Sequence, residues 1–321
     1  MRRYLVLGAG AVGAAIGGLL QRSGREVMLI ARGAHLAALQ RDRLTLVSPA
    51  GASTLAVRAV ASAREIDFTP GDVLVLAVKS QGSAAALADL AAVAPRDLPV
   101  ICAQNGVSNE PLAARSFSRV YGMVVFSPLA LLVPGKVAIH TAPFAGGLDL
   151  GCFPRGTDAL VDEVVADLSN AGFAARAEPK IQRLKYGKLL SNLGNALQAL
   201  GGAAAMQSPL LGAVNAEGRA CLIAADIEFA EVAEVYERNA AIVDLPVEGS
   251  TRQGGSSWQS LARGTGQIEA DFLNGEIVRL GELHGFPTPL NRRLTELALQ
   301  AAEERWPPGK LSVAEIEARL A

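Results

Sequence analysis

The chain has 321 residues, which exceeds the usual length of one compact domain and predicts two domains. Half of its residues are hydrophobic, 19% are charged and the formal net charge is −1, a composition typical of a folded protein with a sizeable core. Because there is no basic excess to attract nucleic acid or an anionic membrane, we expect a small neutral or anionic ligand.

The cysteines and histidines are few and scattered. They are Cys102, Cys152, Cys221, His35, His140 and His284. Their spacing fits no metal motif, so we expect no metal site, and an odd cysteine count favours reduced thiols in a cytoplasmic protein. The apolar start after Arg2 and Arg3 imitates a signal peptide, but glycines interrupt it, so we interpret it as a buried strand and helix. No uninterrupted apolar window of about 18 residues occurs, so we expect no membrane span.

Short apolar runs alternate with helical stretches in the first part of the chain. The runs are Tyr4–Leu7, Glu26–Ala31, Asp72–Val78 and Leu98–Ala103, and the helical stretches are Ala14–Gln21 and Gly82–Val93. Continuous apolar strands separated by helices predict a parallel sheet covered on both faces. The alternating pattern between 43 and 60 is typical of edge strands.

The pattern changes after residue 119. Val120–Leu132 and Lys136–His140 flank a Pro-Gly turn, which predicts an antiparallel addition. We expect a helix over Thr157–Asn170 with Thr157 as its cap, and then a strand at Phe173–Arg176. Strand signals vanish from about residue 180. Helical patterns then cover 181–200, 208–239, 267–284, 288–304 and 311–320.

These elements predict an α/β protein with an N-terminal Rossmann-type doubly wound sheet and an all-helical C-terminal domain. We place the domains at 1–178 and 179–321. The largely apolar stretch 220–235 is either core or a subunit interface, and a helical second domain favours a homodimer.

A glycine-rich turn follows the first apolar run directly. Residues Gly8, Ala9, Gly10, Ala11, Val12 and Gly13 have the G-x-G-x-x-G form and open an Ala-rich helix. The first glycine permits the tight turn, the second lets the backbone approach a pyrophosphate, and the third allows close packing of helix and strand. Because a helix N-terminus favours anions, we expect a dinucleotide there. The alternative is a glycine-rich turn without a ligand.

The end of the second strand indicates which dinucleotide binds. An NAD site usually offers a carboxylate there, whereas this chain has Arg32, whose guanidinium suits a 2′-phosphate. We therefore expect NADP, used as NADPH. Lys79 and Asn105 each follow a later strand, where we expect them near the adenosine phosphate and the nicotinamide respectively. Simple turn chemistry at both positions, and a solvated cation at Arg32, are the alternatives.

The helical pattern at 181–200 carries a polar set. Lys188, Asn192 and Asn195 are spaced i, i+4 and i+7 on one predicted face among apolar residues. A buried Lys beside two amides is costly without a purpose, and in a cleft it can polarise a carbonyl and protonate the developing alkoxide. The alternative is an exposed polar stripe in which Lys185 and Lys188 are both solvated.

A second polar set lies between 254 and 275. Ser256 and Ser257 follow a glycine pair and are suited to hold a carboxylate. Glu269 stands at the start of the predicted 267–284 helix, where a carboxylate is favourable in any case.

Taken in chain order, these residues resemble the ketopantoate reductase (2-dehydropantoate 2-reductase) family over most of the chain. The resemblance rests on the Gly8–Gly13 turn, Arg32, Val78–Lys79, Gln104–Asn105–Gly106, Lys188–Leu189–Leu190–x–Asn192, Ser256–Ser257, Glu269–x–Asp271–x–x–Asn274–Gly275 and Gly285–x–Pro287–x–Pro289–x–Asn291. It implies NADPH-dependent reduction of the C2 ketone of a branched 2-oxo acid.

The resemblance also implies roles for individual residues. Lys188 is then the general acid, Glu269 holds the substrate hydroxyl and stays coupled to Lys188, and Asn192 and Ser257 bind substrate. Arg32 and Lys79 contact the adenosine phosphate, and Asn105 lies on the nicotinamide side.

The substrate half departs from the family pattern. The family's second helix asparagine stands eight residues after the Lys, where this chain has Ala196 and places Asn195 one residue earlier. A one-residue step rotates a helical side chain by about 100°. A further asparagine has no counterpart at 201–206, and Leu261 stands at a usually acidic position. The alternatives are therefore a paralogue acting on a different 2-oxo or hydroxy acid, or an NADP-binding sensor without activity.

Overall fold

The structure of the chain, a computed structural model, describes residues 2–250 and 253–320. These residues form two compact units. The first contains residues 2–105, 109–182 and 236–250, and the second contains 106–108, 183–235 and 253–320. The domain limits 1–178 and 179–321 stay a prediction. A single boundary does not describe these units, because residues 236–250 belong to the first unit although they follow part of the second in the chain.

An eight-stranded sheet forms the centre of the first unit. In spatial order its strands are β13 (Ala174–Ala177), β12 (Gly147–Cys152), β8 (Val120–Phe126), β7 (Val100–Cys102), β6 (Asp72–Leu76), β1 (Arg3–Leu7), β2 (Glu26–Ile30) and β5 (Arg58–Val60). The six strands from β8 to β5 are parallel, and β12 pairs antiparallel with β8. The chain winds outward from β1 in both directions, which confirms the predicted doubly wound sheet.

Two smaller sheets complete the first unit. One has the order β4 (Gly51–Leu55), β3 (Leu44–Ser48), β10 (Lys136–Ile139) and β9 (Leu129–Val133). The antiparallel pairing of β9 with β10 confirms the hairpin predicted at the Pro-Gly turn. The other pairs β11 (Thr141–Ala142) with β14 (Val243–Asp244). The expectation that no strand follows residue 180 is therefore wrong at β14.

Five helices accompany these strands. They are α1 (Ala11–Arg22), α2 (Gly33–Asp42), α3 (Ser83–Ala91), α4 (Asn109–Ala113) and α5 (Ala159–Asn170). Alternate residues of β1 enter different apolar clusters, Tyr4 and Val6 in one and Leu5 and Leu7 in the other, so the sheet is buried on both faces. The cap predicted for α5 is wrong by one residue. Asp158, rather than Thr157, accepts a hydrogen bond from the Val161 backbone N–H.

Helices dominate the rest of the chain. They are α6 (Ile181–Asn192), α7 (Gly194–Met206), α8 (Pro209–Ala224), α9 (Val232–Glu237), α10 (Ser256–Ala262), α11 (Asn274–His284), α12 (Pro289–Glu303) and α13 (Val313–Leu320). Together with the first sheet, they confirm the predicted fold class of a Rossmann-type unit and a helical one. In the part of the chain that the structure describes, no helix is both long and apolar enough to span a membrane.

Three predicted helices differ from the observed ones. The 181–200 helix is interrupted at Leu193, whose N–H bonds three residues back to Leu190 and so tightens the turn. The 208–239 helix ends at Ala224, followed by the left-handed Asp226 (φ 54°). The 267–284 helix starts as a 3-10 turn at Ala270–Phe272, and its α-helical part begins only at Asn274.

Candidate active site

The glycine-rich turn connects β1 to α1 as predicted. Gly8 has a left-handed φ of 102°, and a Cβ there would lie 2.5 Å from the backbone nitrogen of Val78. A Cβ on Gly13 would lie 2.1 Å from the carbonyl oxygen of Gly8. The turn therefore packs so tightly against itself and against the end of β6 that only glycine fits at these two positions.

Gly10 differs from these two glycines. It is exposed and forms the N-cap of α1, and no described atom lies within 4 Å of a Cβ built on it. Among the described contacts no side chain caps this end of α1, whose first turn holds no acidic residue. An open, uncapped helix N-terminus is a favourable place for a phosphate group. The residues present therefore fit the pyrophosphate of a dinucleotide.

Arg32 lies just beyond the end of β2, at the N-cap of α2. Its side chain is 77% exposed, and its guanidinium is 3.6 Å from the carboxylate of Asp89, which is 60% exposed. Such an exposed and loose ion pair contributes little, so Arg32 can engage another anion at small cost. This geometry fits the predicted contact with a 2′-phosphate.

Lys79 and Asn105 lie at the same edge of the sheet as the glycine-rich turn. The ends of β1, β6 and β7 are in register, with Leu7 opposite Leu76 and Leu76 opposite Cys102. Lys79 and Asn105 each follow three residues after the last residue of their strand, and Lys79 is exposed whereas Asn105 is half-buried. Ligands of doubly wound sheets bind at this edge.

A buried polar network connects the two loops that carry Lys79 and Asn105. Gln104 Nε2 donates to Ser83 Oγ at 2.9 Å, and Asn109 Nδ2 donates to Ser80 Oγ at 3.3 Å. All four side chains are buried. This network could not be predicted from the sequence, because serines after a strand carry no periodic signal and their partners are more than 20 residues away.

His35 lies on α2 and is half-buried. Its Nδ1 accepts a hydrogen bond from the backbone N–H of Gly135 at 3.0 Å, so the ring is neutral with its proton on Nε2. Burial lowers the pKa of His35, and an interaction with the backbone of Ala9 only partly opposes that shift. Sequence analysis assigned His35 no role.

In the second unit, α6 carries Lys188 and Asn192, which are both half-buried. Lys185 is only 3% exposed. The alternative of an exposed stripe with two solvated lysines is therefore wrong. The prediction that one continuous helical face carries the whole set is also wrong, because Asn195 lies on α7, beyond the break at Leu193.

Two polar atoms of the residues predicted to bind substrate lack hydrogen-bond partners among the described residues. Within residues 2–250 and 253–320, the buried Nδ2 of Asn192 and Oγ of Ser257 make no hydrogen bond. Ser257 is 2% exposed and belongs to α10. Leaving such groups unpaired costs about 1–3 kcal/mol each, and a ligand that bonds to them would remove that cost.

Asn195 lies beside the glycine pair that precedes Ser257. A Cβ on Gly255 would be 3.3 Å from Asn195 Oδ1, and the Gly255 backbone N–H donates to Gln198 Oε1 at 2.7 Å. Helices α7 and α10 pack together through this contact. The absence of a Cβ at Gly255 lets the start of α10 approach α7 closely. Gln198 is a further residue that sequence analysis did not find.

Glu269 is 8% exposed and directly precedes the 3-10 turn. It occupies the N-cap position of that turn, but no side-chain cap bond is described there. Burial, together with the nearby Glu269 carboxylate, raises the pKa of Asp271. The turn therefore brings the carboxyl groups of Glu269 and Asp271 close to each other.

Two of the positions that depart from the family pattern are core positions. Ala196 is 1% exposed and Leu261 is 5% exposed, and both belong to the apolar cluster of the helical unit. An asparagine at 196 would have to be buried in this cluster. The roles of all the predicted site residues stay predictions. In the ranges that the structure describes, no cluster of three or more His, Cys, Asp or Glu side chains is arranged to hold a metal ion.

Two family models match consecutive parts of the chain. The model of "Ketopantoate reductase PanE/ApbA" matches residues 4–155, and that of "Ketopantoate reductase PanE/ApbA C terminal" matches residues 155–302. A 2-dehydropantoate 2-reductase of Pyrococcus horikoshii is 29% identical over 298 residues, which are 90% of this chain and 94% of the relative.

Solved structures show the same fold. A PanE/ApbA family ketopantoate reductase from Ralstonia eutropha has a TM-score of 0.79 and 27% identity, covering 94% of this chain and 99% of that one. D-mandelate dehydrogenase, in a ternary structure with NADH and anilino(oxo)acetate, also has a TM-score of 0.79 at 22% identity, covering 94% of this chain and 98% of the other.

Proposed function

The chain belongs to the ketopantoate reductase family, whose members are oxidoreductases that act on CH–OH groups with NADPH, and on that premise we propose that it reduces 2-dehydropantoate to pantoate. The observation that carries this proposal is the pair of buried, unpartnered polar atoms, Asn192 Nδ2 and Ser257 Oγ. They belong to the same helical unit as Lys188 and Glu269.

The first unit supplies the cofactor site. The open N-terminus of α1 at Gly10 receives the pyrophosphate, and Arg32 contacts the 2′-phosphate and so selects NADP over NAD. Lys79 adds a second cation for the adenosine phosphate, and Asn105 contacts the nicotinamide side. When bound, NADPH supplies the hydride.

The second unit supplies the substrate site. Asn192 and Asn195 offer amide groups and Ser257 offers a hydroxyl, all of which suit the carboxylate and hydroxyl groups of a hydroxylated 2-oxo acid. Because two of these groups are buried without partners, substrate binding removes a desolvation penalty that the free enzyme carries.

Lys188 is the general acid in this mechanism. Its ammonium donates a hydrogen bond to the C2 carbonyl oxygen and so stabilises the negative charge that develops there. As the hydride adds to C2, the proton of Lys188 passes to the oxygen, and the ketone becomes a secondary alcohol. Glu269 holds the substrate hydroxyl and stays coupled to Lys188, as the family resemblance implies.

A matched pair of serines on α10 tests the substrate site. Ser257 and Ser260 are both buried, but Ser260 Oγ already donates to the Ser256 carbonyl at 2.9 Å. We expect Ser257→Ala to lower kcat/KM for 2-dehydropantoate about 10- to 150-fold, because one hydrogen bond to a charged group is lost. Ser260→Ala should leave kcat/KM within about threefold, since Ser260 Oγ already bonds to the backbone of its own helix. Equal effects of the two changes would contradict the proposed site.

The substrate is tested by a panel of 2-oxo acids with NADPH. We expect 2-dehydropantoate to have the highest kcat/KM, ahead of analogues that lack the hydroxymethyl group. A different 2-oxo acid, or faster oxidation of a hydroxy acid, would identify a paralogue, which the core positions Ala196 and Leu261 favour. In that case the proposed NADPH-dependent chemistry would be kept, and 2-dehydropantoate would be rejected as the substrate.

The homodimer and the cytoplasmic location stay predictions. Ile223 on α8 is 62% exposed and Leu283 on α11 is 65% exposed, and a subunit contact that included them would cover their apolar surface. Light scattering of the purified protein decides whether it is a dimer.

A further inference from the structure

Two buried asparagines, Asn274 and Asn291, connect the starts of α11 and α12. Both are 0% exposed. Asn274 Nδ2 donates to Asn291 Oδ1 at 3.0 Å and to the carbonyl oxygen of Leu193 at 3.1 Å. A buried amide that uses both of its N–H bonds in this way holds its partners in a fixed geometry.

The other end of this chain of hydrogen bonds is fixed on α8. Asn291 Nδ2 donates to Glu217 Oε1 at 2.9 Å, and the Glu217 carboxylate also accepts from the backbone N–H groups of Leu290 and Asn291 at 2.9 and 2.8 Å. Since α12 opens with Pro289 and Thr288 provides no described side-chain cap, Glu217 caps this helix. A carboxylate at a helix N-terminus is stabilised by the helix dipole.

Leu193 is the residue between the two helices of the proposed substrate site. It is 0% exposed and separates α6, which carries Lys188 and Asn192, from α7, which carries Asn195. It also packs closely on α8, because a Cβ on Gly218 would lie 2.5 Å from Leu193 Cδ1. The hydrogen bond from Asn274 therefore acts at the junction from which the proposed site residues project.

Asn274 is also close in the chain to Glu269. It opens α11 directly after the 3-10 turn that Glu269 precedes. One carboxamide thus links the α6–α7 junction to the segment that carries the second proposed catalytic side chain.

We propose that Asn274 is a positioning residue for the reduction, which fixes Lys188 and Asn192 relative to Glu269 through the Leu193 carbonyl. This inference rests on the proposed function. Loss of the bond lets the end of α6 shift, and a misplacement of about 1 Å at a reacting group costs about 10²-fold in rate. Binding of NADPH, whose proposed site lies in the first unit, is unaffected.

Asn291 provides the matched control. Asn274→Leu and Asn291→Leu each replace a fully buried asparagine at a helix start by an apolar side chain of similar size, and only the first removes the bond to Leu193. We expect Asn274→Leu to lower kcat about 10- to 100-fold, with the Kd for NADPH unchanged. Asn291→Leu should lose comparable stability and keep kcat within about threefold of the original.

The test compares kcat, NADPH affinity by fluorescence and thermal midpoint for the two variants, together with hydrogen exchange of residues 188–197. The inference requires faster exchange in this segment for Asn274→Leu than for Asn291→Leu. Equal kcat losses in the two variants, or unchanged exchange, would overturn it. If Asn274→Leu does not fold, Asn274→Ser is judged by the same criteria. If the original protein shows no turnover, the proposed function is wrong. The hydrogen-exchange comparison then still tests whether Asn274 stabilises the junction between α6 and α7.

Discussion

A Cβ atom on Gly13 would lie 2.1 Å from the carbonyl oxygen of Gly8, whereas a Cβ on Gly10, between them in the same turn, would meet no described atom within 4 Å. Gly8 and Gly13 are thus required by the protein's own packing. Gly10 has no such reason, so its small size leaves room for something that is not protein. Within one motif, therefore, Gly8 and Gly13 serve folding, whereas Gly10 serves ligand binding.

Gly10→Ala should therefore keep the fold and lose the cofactor. We expect only a modest fall in its thermal midpoint, because alanine is a poorer N-cap than glycine. Its Kd for NADPH should rise about tenfold or more, because the added methyl group occupies the pyrophosphate position. Calorimetric titration with NADPH measures this. Gly212→Ala on α8, where a Cβ also meets no described atom, is the control. It should leave the Kd unchanged and raise the thermal midpoint slightly, because alanine is favoured over glycine inside a helix. An unchanged Kd for NADPH in Gly10→Ala would show that the pyrophosphate does not bind at this turn.

Arg32→Ala should weaken NADPH far more than NADH. A charge-assisted hydrogen bond contributes about 1.5–3 kcal/mol, so the Kd for NADPH should rise about 10- to 150-fold. The Kd for NADH, which lacks the 2′-phosphate, should change little. Arg41→Ala, at an exposed arginine of the same helix α2, is the control for general loss of positive charge. Parallel losses for both cofactors in Arg32→Ala would show that Arg32 does not read the 2′-phosphate.

His35 should make the first unit sensitive to mild acid. Because burial lowers its pKa in the folded state, the unfolded chain binds a proton first as pH falls. Neutral His35 therefore contributes its full stabilisation of the folded state above the unfolded pKa of about 6.5. This stabilisation is lost as the pH falls towards the lower pKa of His35 in the folded state.

His35→Asn, whose side-chain oxygen can still accept from Gly135, should flatten this dependence in urea unfolding. The exposed His284→Asn should retain it. An unaltered pH profile in His35→Asn would assign the acid sensitivity to other groups.

Asp72 should stabilise the fold down to a pH much lower than the range in which His35 acts. Its burial raises the pKa of the carboxyl, but hydrogen bonds from Arg3 at 2.7 Å and from Thr69 outweigh burial, so the pKa lies below its usual range. Its contribution is therefore present above the unfolded pKa of about 3.9 and is lost as pH falls through the folded value.

Asp72→Asn should destabilise the protein by about 3–5 kcal/mol near neutral pH, since it leaves Arg3 without its buried partner. The difference from the original protein should shrink as the solution is acidified below the unfolded pKa. Urea unfolding at several pH values measures it, with the exposed Asp97→Asn as control. A difference that does not depend on pH would contradict the assignment.

The parts of the fold that could be predicted have local causes. The Gly8–Gly13 spacing, the apolar runs that became β1, β2 and β6, and the Pro-Gly turn between β9 and β10 each have a physical reason within a few residues. The resemblance to the ketopantoate reductase family, found from ordered short motifs, is confirmed by the two family models.

The parts that could not be predicted depend on distant contacts. The helical pattern of 181–200 is continuous in sequence, and the break at Leu193 coincides with a hydrogen bond from Asn274, 81 residues away. The cap of α12 comes from Glu217 on α8 rather than from a neighbour in sequence. No periodicity in the chain contains this information.

The most direct test of the account is single-turnover reduction of 2-dehydropantoate, followed by the absorbance of NADPH, with Lys188→Ala beside the original protein. The account predicts rapid oxidation of NADPH by the original protein and a rate about 10²- to 10⁴-fold lower for Lys188→Ala, since a positioned general acid is lost. The Kd for NADPH should be the same in both, and Lys310→Ala, at an exposed lysine stacked on Trp306, should react like the original. An original protein that leaves NADPH unchanged, or a Lys188→Ala variant that reacts as fast, would contradict the account.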